Sequence, residues 1–356
     1  MPASPLPQIG MMLHMQPAAN EPIPAFFQQR AALVQEIEQI GVQAVWVTEH
    51  HFDPQSLSAS PLLLLAHWAA RTQRIQLGVA AVLPAGRNPA LLAEEIALLS
   101  NLAPGRIAIG FAKGGPFEAQ KRAFGWGSDA ARVQMREVVD ALLDRLHPQS
   151  VDYRGEAVLQ PPAQLPLPLF VASREPDTLA WAASRGLGWM SAQFWPLETY
   201  DAQAINWGIV AQRPADALLS RGLWIDEDGD AARRHALAWL AAFRRNKQSQ
   251  WKVGFRGPMA EMDESESLAR AIVGTPEECA RQLTDLLAQR AVPRLAFNPL
   301  DDRPERQLEQ MQRLLRQVLP LVSSSLSAPQ PTSLPASLPA ASAAPHRADA
   351  ALPGRP

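Results

Sequence analysis

An apolar run at residues 44–47 leads directly into Thr48, Glu49, His50 and His51. Polar and ionisable groups packed at the end of a buried strand are how an α/β barrel presents its chemistry. A carboxylate beside two imidazoles can hold or move a proton near neutral pH. Side chains alternate across a strand, so His50 points away from Glu49 and His51. Adjacent histidines on opposite faces make a poor metal chelate. One histidine facing a pocket is the better reading, and no metal is expected.

The elements that would position this cluster follow from the apolar pattern. Short apolar runs at 9–15, 44–47, 75–83, 106–111, 169–172, 188–192, 221–225 and 294–297 read as strands,. Helical spacing or capping places helices at 23–40, 61–71, 90–102, 129–146, 178–184, 231–244 and 303–319. A further helix starts at Thr275, which caps it, with Pro276 in the first turn and Glu278 closing a capping box. The run after Gln76 is uniformly apolar, as in a parallel strand buried on both faces. Strands and helices alternating about eight times argue a parallel α/β fold, and the count favours a closed TIM (β/α)8 barrel over an open sheet. No G-x-G-x-x-G follows a strand, since Gly110, Gly114 and Gly115 have the wrong spacing. A Rossmann dinucleotide site is therefore unsupported.

Residues 246–267 show no period and read as an insertion loop, either a lid or a plain insertion. From 323 to 356 Ser, Ala, Pro and Leu dominate without aromatic residues, which reads as a disordered tail on a barrel of residues 1–322,. The chain has 356 residues, 47% of them hydrophobic, with 33 basic against 35 acidic side chains. No basic surplus points to nucleic acid or an anionic membrane. The longest apolar run, 61–66, is too short to span a bilayer. One cysteine, Cys279, and no recognisable signal peptide fit a reducing, cytoplasmic setting,. Trp189, Phe194, Trp195 and Trp207 can wall a pocket or fill a core.

Four stretches, in order, carry a resemblance to the bacterial luciferase-like flavin monooxygenases. They are Trp46-Val-Thr-Glu-His-His-Phe52, Leu77-Gly-Val-Ala-Ala-Val-Leu-Pro84 with Asn88-Pro89, Gly105-Arg-Ile-Ala-Ile-Gly-Phe-Ala-Lys-Gly114, and Val273-Gly-Thr-Pro-Glu-Glu278. The resemblance covers most of residues 8–320 and implies a barrel enzyme that binds reduced FMN and reacts it with dioxygen. A flavin C4a-peroxide then oxidises a small organic substrate. It also implies a separate flavin reductase, and a homodimer joined through the helices after the early strands.

His50 matches the active-site histidine of that family, with Glu49 orienting a neighbour or packing in a polar network. Ala80-Ala81 matches the bend of the third strand beneath the flavin ring, a link that can be cis or trans. Lys113 matches a basic position that holds the flavin phosphate, where many relatives carry arginine. Ser173 and Thr178 flank a helix start that resembles a phosphate site, unless Asp177 or Thr178 simply caps it. Ala112 stands where true luciferases have cysteine, a departure that argues against light emission. Two other readings remain open: an F420-dependent hydride-transfer enzyme on the same barrel, and a flavin-binding barrel without turnover.

Overall fold

Trp46 sits at the centre of the barrel, 1% exposed, with its ring edge-on to Phe170 at 5.8 Å. A computed structural model describes residues 6–18, 20–115, 117–124, 130–147, 150–151, 155–156, 158–212, 216–249 and 263–327. The strands are β1 (Gln8–Leu13), β2 (Ala44–Val47), β3 (Gln76–Val82), β4 (Ile107–Phe111), β5 (Leu169–Ala172), β6 (Gly188–Ser191), β7 (Ala217–Ile225), β8 (Ile272–Gly274) and β9 (Arg294–Pro299). The helices are α1 (Ile23–Gln39), α2 (Pro61–Ala69), α3 (Pro89–Leu102), α4 (Glu118–Phe124), α5 (Ala130–Leu146), α6 (Pro176–Ser184), α7 (Leu197–Ala211), α8 (Gly229–Gln248), α9 (Glu264–Ala269), α10 (Pro276–Gln289), α11 (Pro304–Arg313) and α12 (Leu319–Ser327).

All strand pairings are parallel. β1 to β7 pair in sequence, β7 pairs β9, and β9 pairs β1, so eight strands close into a TIM barrel. β8 is an addition that pairs only with the far end of β7, at Leu223 to Ile225.

The interior is layered. Arg294 plugs the N-terminal end, donating to both Asp216 oxygens at 2.7 and 3.0 Å and to Gln76 at 2.8 Å. Above it lies an apolar layer that includes Met12, Trp46, Phe170, Met190 and Leu218. The indole needs space that glycines supply. A Cβ on Gly78 would sit 2.2 Å from the Trp46 ring, and one on Gly110 would sit 2.5 Å from Met190. The helices cover the outer strand face through a second, larger apolar core. Among the described residues no helix is long and apolar enough to cross a membrane.

Several expected boundaries move. β7 begins at Ala217, four residues before the expected 221, because Ser220-Arg221-Gly222 interrupts the apolar run while remaining inside the strand. β8 was not expected. Its three residues read as the lead-in to the Thr275 helix, whose capping box is present. Helix α7 was also not expected, although Leu197, Tyr200, Ala204, Trp207 and Ala211 keep helical spacing,. Residues 118–124 form α4, for which no helix was expected. Helix α6 opens at Pro176 with Glu175 as its N-cap, so neither Asp177 nor Thr178 caps it. The expected 246–267 loop shrinks, since α8 runs to Gln248 and α9 starts at Glu264, and its middle lies outside the described residues. The C-terminal helix continues through a π-helical turn, Leu314–Val318, to Ser327, past the expected start of the tail at 323. The rest of that tail lies outside the described residues.

Replacing Gly78 with Ala forces a methyl into the Trp46 ring. The expected outcome is a loss of about 1–3 kcal/mol, read as a lower urea midpoint with an unchanged slope.

Candidate active site

The period of two that places Trp46 in the barrel carries on up β2. Thr48 therefore faces the barrel mouth, and Glu49 faces the outer packing. The Glu49 side chain is wholly buried. Its carboxylate accepts from Arg87 Nη2 at 2.6 Å and from the Leu83 backbone N–H at 3.1 Å, and His51 Nε2 lies 2.7 Å away. This network ties the end of β2 to the end of β3. His51 packs edge-on against Phe124 at 4.9 Å, on the Glu49 side as alternation requires.

A cavity of about 420 Å³ opens above the C-terminal ends of the strands. That is where a TIM barrel holds its chemistry, and the size suits a small-molecule or cofactor site. Its floor is small: Ala80, Ala112, Ala172 and Ala192 each come from a different strand or strand end. The Ala80-Ala81 peptide is cis, and the β3–β4 register shifts between Val79 and Val82. Ala80 is partly exposed to the cavity, while Ala81 is buried. The Thr48 hydroxyl also borders the cavity, and its Oγ1 is buried without a hydrogen-bond partner.

His50 stands on one wall, with its ring edge-on to Phe117 at 5.7 Å. Burial, then the positive charge of Lys247, push its pKa from the ordinary histidine value down to about 3, against the opposing pull of Asp53. The imidazole is therefore uncharged near neutral pH and is suited to exchanging a hydrogen bond rather than to taking up a proton. His14, at the end of β1, is likewise held near 4 by burial and then by Lys247.

The opposite side is cationic. Lys113, Gly114 and Gly115 follow β4, with Gly114 at φ +89°, a left-handed conformation that favours glycine,. Arg132 reaches in from α5 and pairs with Glu175 at 3.3 Å. Arg174 lies over the Trp195 ring at 5.5 Å. Ser173 lines the cavity, and its Oγ accepts from the Glu175 N–H at 3.1 Å. Thr178 does not line it. Thr178 is fully buried in the first turn of α6, where its Oγ1 accepts from Arg136 Nη2 at 2.5 Å. Phe194 and Trp195 wall the cavity, whereas Trp189 and Trp207 are core residues.

The structure thus gathers His50, Ala80, Ala81, Lys113 and Ser173 around one cavity, with Glu49 behind it. Sequence reasoning missed Arg87, Arg132, Asp53, Lys247 and His14. Arg87, Arg132, Lys247 and His14 come from other elements, so no local spacing signals them, and Asp53, although three residues from His50, shows its role only through its distant partner Lys247. Among the described residues no three His, Cys, Asp or Glu side chains could hold a metal. Cys279 is buried, and burial pushes its thiol up to about 12, away from reactivity,.

A family model described as luciferase-like monooxygenase matches residues 8–293. The oxygenase component of the flavin-dependent trigonelline monooxygenase of Acinetobacter baylyi is 26% identical over 206 residues, 55% of this chain and 56% of that protein. An F420-dependent glucose-6-phosphate dehydrogenase of Kineococcus radiotolerans is 27% identical over 224 residues, 57% of this chain and 66% of that protein. The chain spans about half the length of the first curated relatives it matches. The crystal structure of monooxygenase RslO1 from Streptomyces bottropensis superposes with a TM-score of 0.75 at 23% identity, covering 88% of this chain and 99% of that one. The closed barrel is shared with that structure, and since the family match runs from β1 to the residue before β9, the chain belongs to the luciferase-like monooxygenase family.

Proposed function

We propose that this chain is a flavin-dependent monooxygenase that takes reduced FMN and dioxygen and oxidises a small organic substrate. One observation carries the reading: the alanine floor lies between a neutral histidine on one side and a cluster of cationic groups on the other. A flat aromatic ring fits over small side chains, and a terminal phosphate fits Lys113, Arg132, Arg174 and the N–H groups of Gly114-Gly115. Ser173 adds a hydroxyl beside the start of α6. Thr178, in the first turn of α6, ties that helix to α5 by accepting a hydrogen bond from Arg136. Glu175 opposes a phosphate less than its charge suggests, because Arg132 pairs with it.

Bound reduced FMN would supply the electrons that activate dioxygen. His50 is placed to hold a hydrogen bond beside the ring as an uncharged imidazole. Phe117, Phe194 and Trp195 exclude water from the same space,. Glu49 acts at one remove, holding His51, Arg87 and the β3 end in place. The Acinetobacter relative is an oxygenase component, which supports delivery of reduced flavin by a separate reductase. The Kineococcus relative keeps F420 as the competing cofactor.

We place the described residues from Leu6 to Ser327 in one luciferase-like barrel unit, which extends the expected boundary of 322 to the end of α12. Leu63 on α2 and Leu91, Leu98 and Leu102 on α3 are all exposed. A separate groove of about 1020 Å³ lies between α1, α2 and the loop after β2; Leu63 lines it, as do His50 and Asp53, and the α3 leucines do not. A homodimer would bury the exposed leucines. The lone buried thiol suits a cytoplasmic setting,.

Anaerobic titration with reduced FMN is expected to show saturable binding. Rapid mixing with oxygenated buffer is expected to give a transient absorbing species distinct from reduced and oxidised flavin. Binding of reduced F420 in its place would overturn the assignment, and so would no binding of either. Lys113→Ala is expected to weaken FMN binding about tenfold, or about 1.4 kcal/mol. His50→Asn is expected to bind flavin normally but to lower the coupling of oxygen use to product by about a hundredfold or more. Leu98→Glu is expected to shift sedimentation from dimer towards monomer without changing the circular dichroism spectrum.

A further inference from the structure

Lys247 occupies an unusual place. It lies in the last turn of α8, where a lysine ordinarily reaches solvent and answers the helix dipole,. Here its side chain is turned inward and is only 6% exposed. Its ammonium donates to Asp53 Oδ2 at 2.7 Å, and the Asp53 side chain is 3% exposed. The two residues are 194 positions apart. Phe243, one helical turn earlier on α8, lies 5.6 Å from the ammonium and takes the His14 ring edge-on at 6.0 Å.

Asp53 belongs to the loop that leaves β2 through His50. Its Oδ1 accepts from the Gln55 N–H at 2.8 Å. The same loop is closed on itself by the His50 N–H donating to Ser58 O at 3.4 Å, and it is tied to the end of β1 by the Leu57 N–H donating to Met15 O at 2.7 Å. The Lys247–Asp53 pair therefore joins the end of α8 to the short segment that carries His50. A charge buried this deeply is normally paired, and here the pairing partner sits three residues from His50,.

We propose that Lys247 is a positioning residue for His50: clamped on Asp53, it fixes the loop after β2 across the barrel mouth and keeps the imidazole facing the cavity uncharged. The proposal rests on the role assigned to His50 above, but its test does not require flavin. The charges that face His50 are Lys247 from α8, Asp53 and His51 from its own loop, and His14 from β1. Glu49, Lys113, Arg132, Arg174 and Glu175 border the same cavity. Burial disfavours the imidazolium most, and Lys247 is the next largest influence against it. For Asp53, burial alone would raise the carboxyl pKa. The charge and hydrogen bond of Lys247 outweigh burial and bring it below the ordinary range. Without Lys247, the Asp53 carboxylate would be left to favour a protonated His50.

The test is ring-nitrogen NMR of the full chain labelled at histidine, titrated from pH 8 to 2.5 without flavin, a span that covers the low wild-type midpoint and the shifted one. Signals are assigned with His50→Asn and His14→Asn. In the wild type, His50 is expected to stay neutral throughout most of this range. Lys247→Met is expected to raise its proton affinity about tenfold or more, a shift of one pH unit in the midpoint. Lys247→Arg keeps the charge and is expected to leave the midpoint low. Lys247→Met with Asp53→Asn removes both charges and serves where the single variant unfolds. Its midpoint is expected above the wild type but below that of Lys247→Met. A wild-type His50 that titrates near its ordinary value, or a midpoint that both methionine variants leave unmoved, would overturn the proposal. Loss of flavin binding with the histidine shifts intact would instead count against the functional reading alone.

Discussion

The fit of the Trp46 indole inside the barrel is the constraint on which the rest depends. An aromatic side chain of this size fills one level of an eight-stranded barrel only if neighbouring strands give way. Gly10, Gly78 and the edge of Phe170 do so. Interiors are packed like crystals, so the register of β2 against β1 and β3 cannot slip without losing that fit. Because β2 alternates, a fixed Trp46 sends Thr48 to the mouth, buries Glu49 behind it and sends His50 forward into the cavity. The position of the proposed chemistry thus follows from a packing requirement two to four residues earlier.

Polarity is graded along the barrel axis for a related reason. The N-terminal end is closed by Arg294 and its carboxylate and amide partners. The middle is apolar. The mouth is floored by alanines and edged by charged groups. Small side chains above a tryptophan level leave a recess without a void in the core beneath it. The charged groups around the recess are mostly paired with one another, as in Glu49–Arg87, Arg132–Glu175 and Asp53–Lys247. Buried pairs of this kind contribute little net stability, since desolvation offsets attraction, but breaking one is costly. Their effect is to hold β2, β3, α5, α6 and α8 in one arrangement around the cavity.

Family membership narrows the chemistry without naming the cofactor, because relatives use either flavin or F420. Two residues of this cavity bear on what it can hold: Ala112 in the floor and Lys113 among the cationic groups. A lysine offers a point charge where an arginine would offer a planar fork. Arg132 and Arg174 bring guanidinium groups to the same end from other elements.

Much of the fold was legible because its signals are local. Apolar runs bounded by Gly and Pro marked most of the strands, and Thr275 with Glu278 announced a capping box that is present. Where expectation fell short the signal is weak or interrupted: β8 has only three residues, and the start of β7 was placed four residues late because the buried Arg221 breaks its apolar run. The side of β2 on which His50 lies was equally readable, since alternation needs only the chain's own period. The sequence by itself determined the strand–helix alternation, the parallel core and the presence of ionisable residues at the end of β2, because propensity and periodicity are properties of neighbours in the chain. Only the tertiary structure decided that the Thr178 side chain turns from the cavity towards Arg136 of α5, that Arg132 joins the cationic end, and that Lys247 meets Asp53 across 194 residues. Which side chains share a buried space, and so which charges they adopt, depends on how distant segments pack, and no local pattern encodes that.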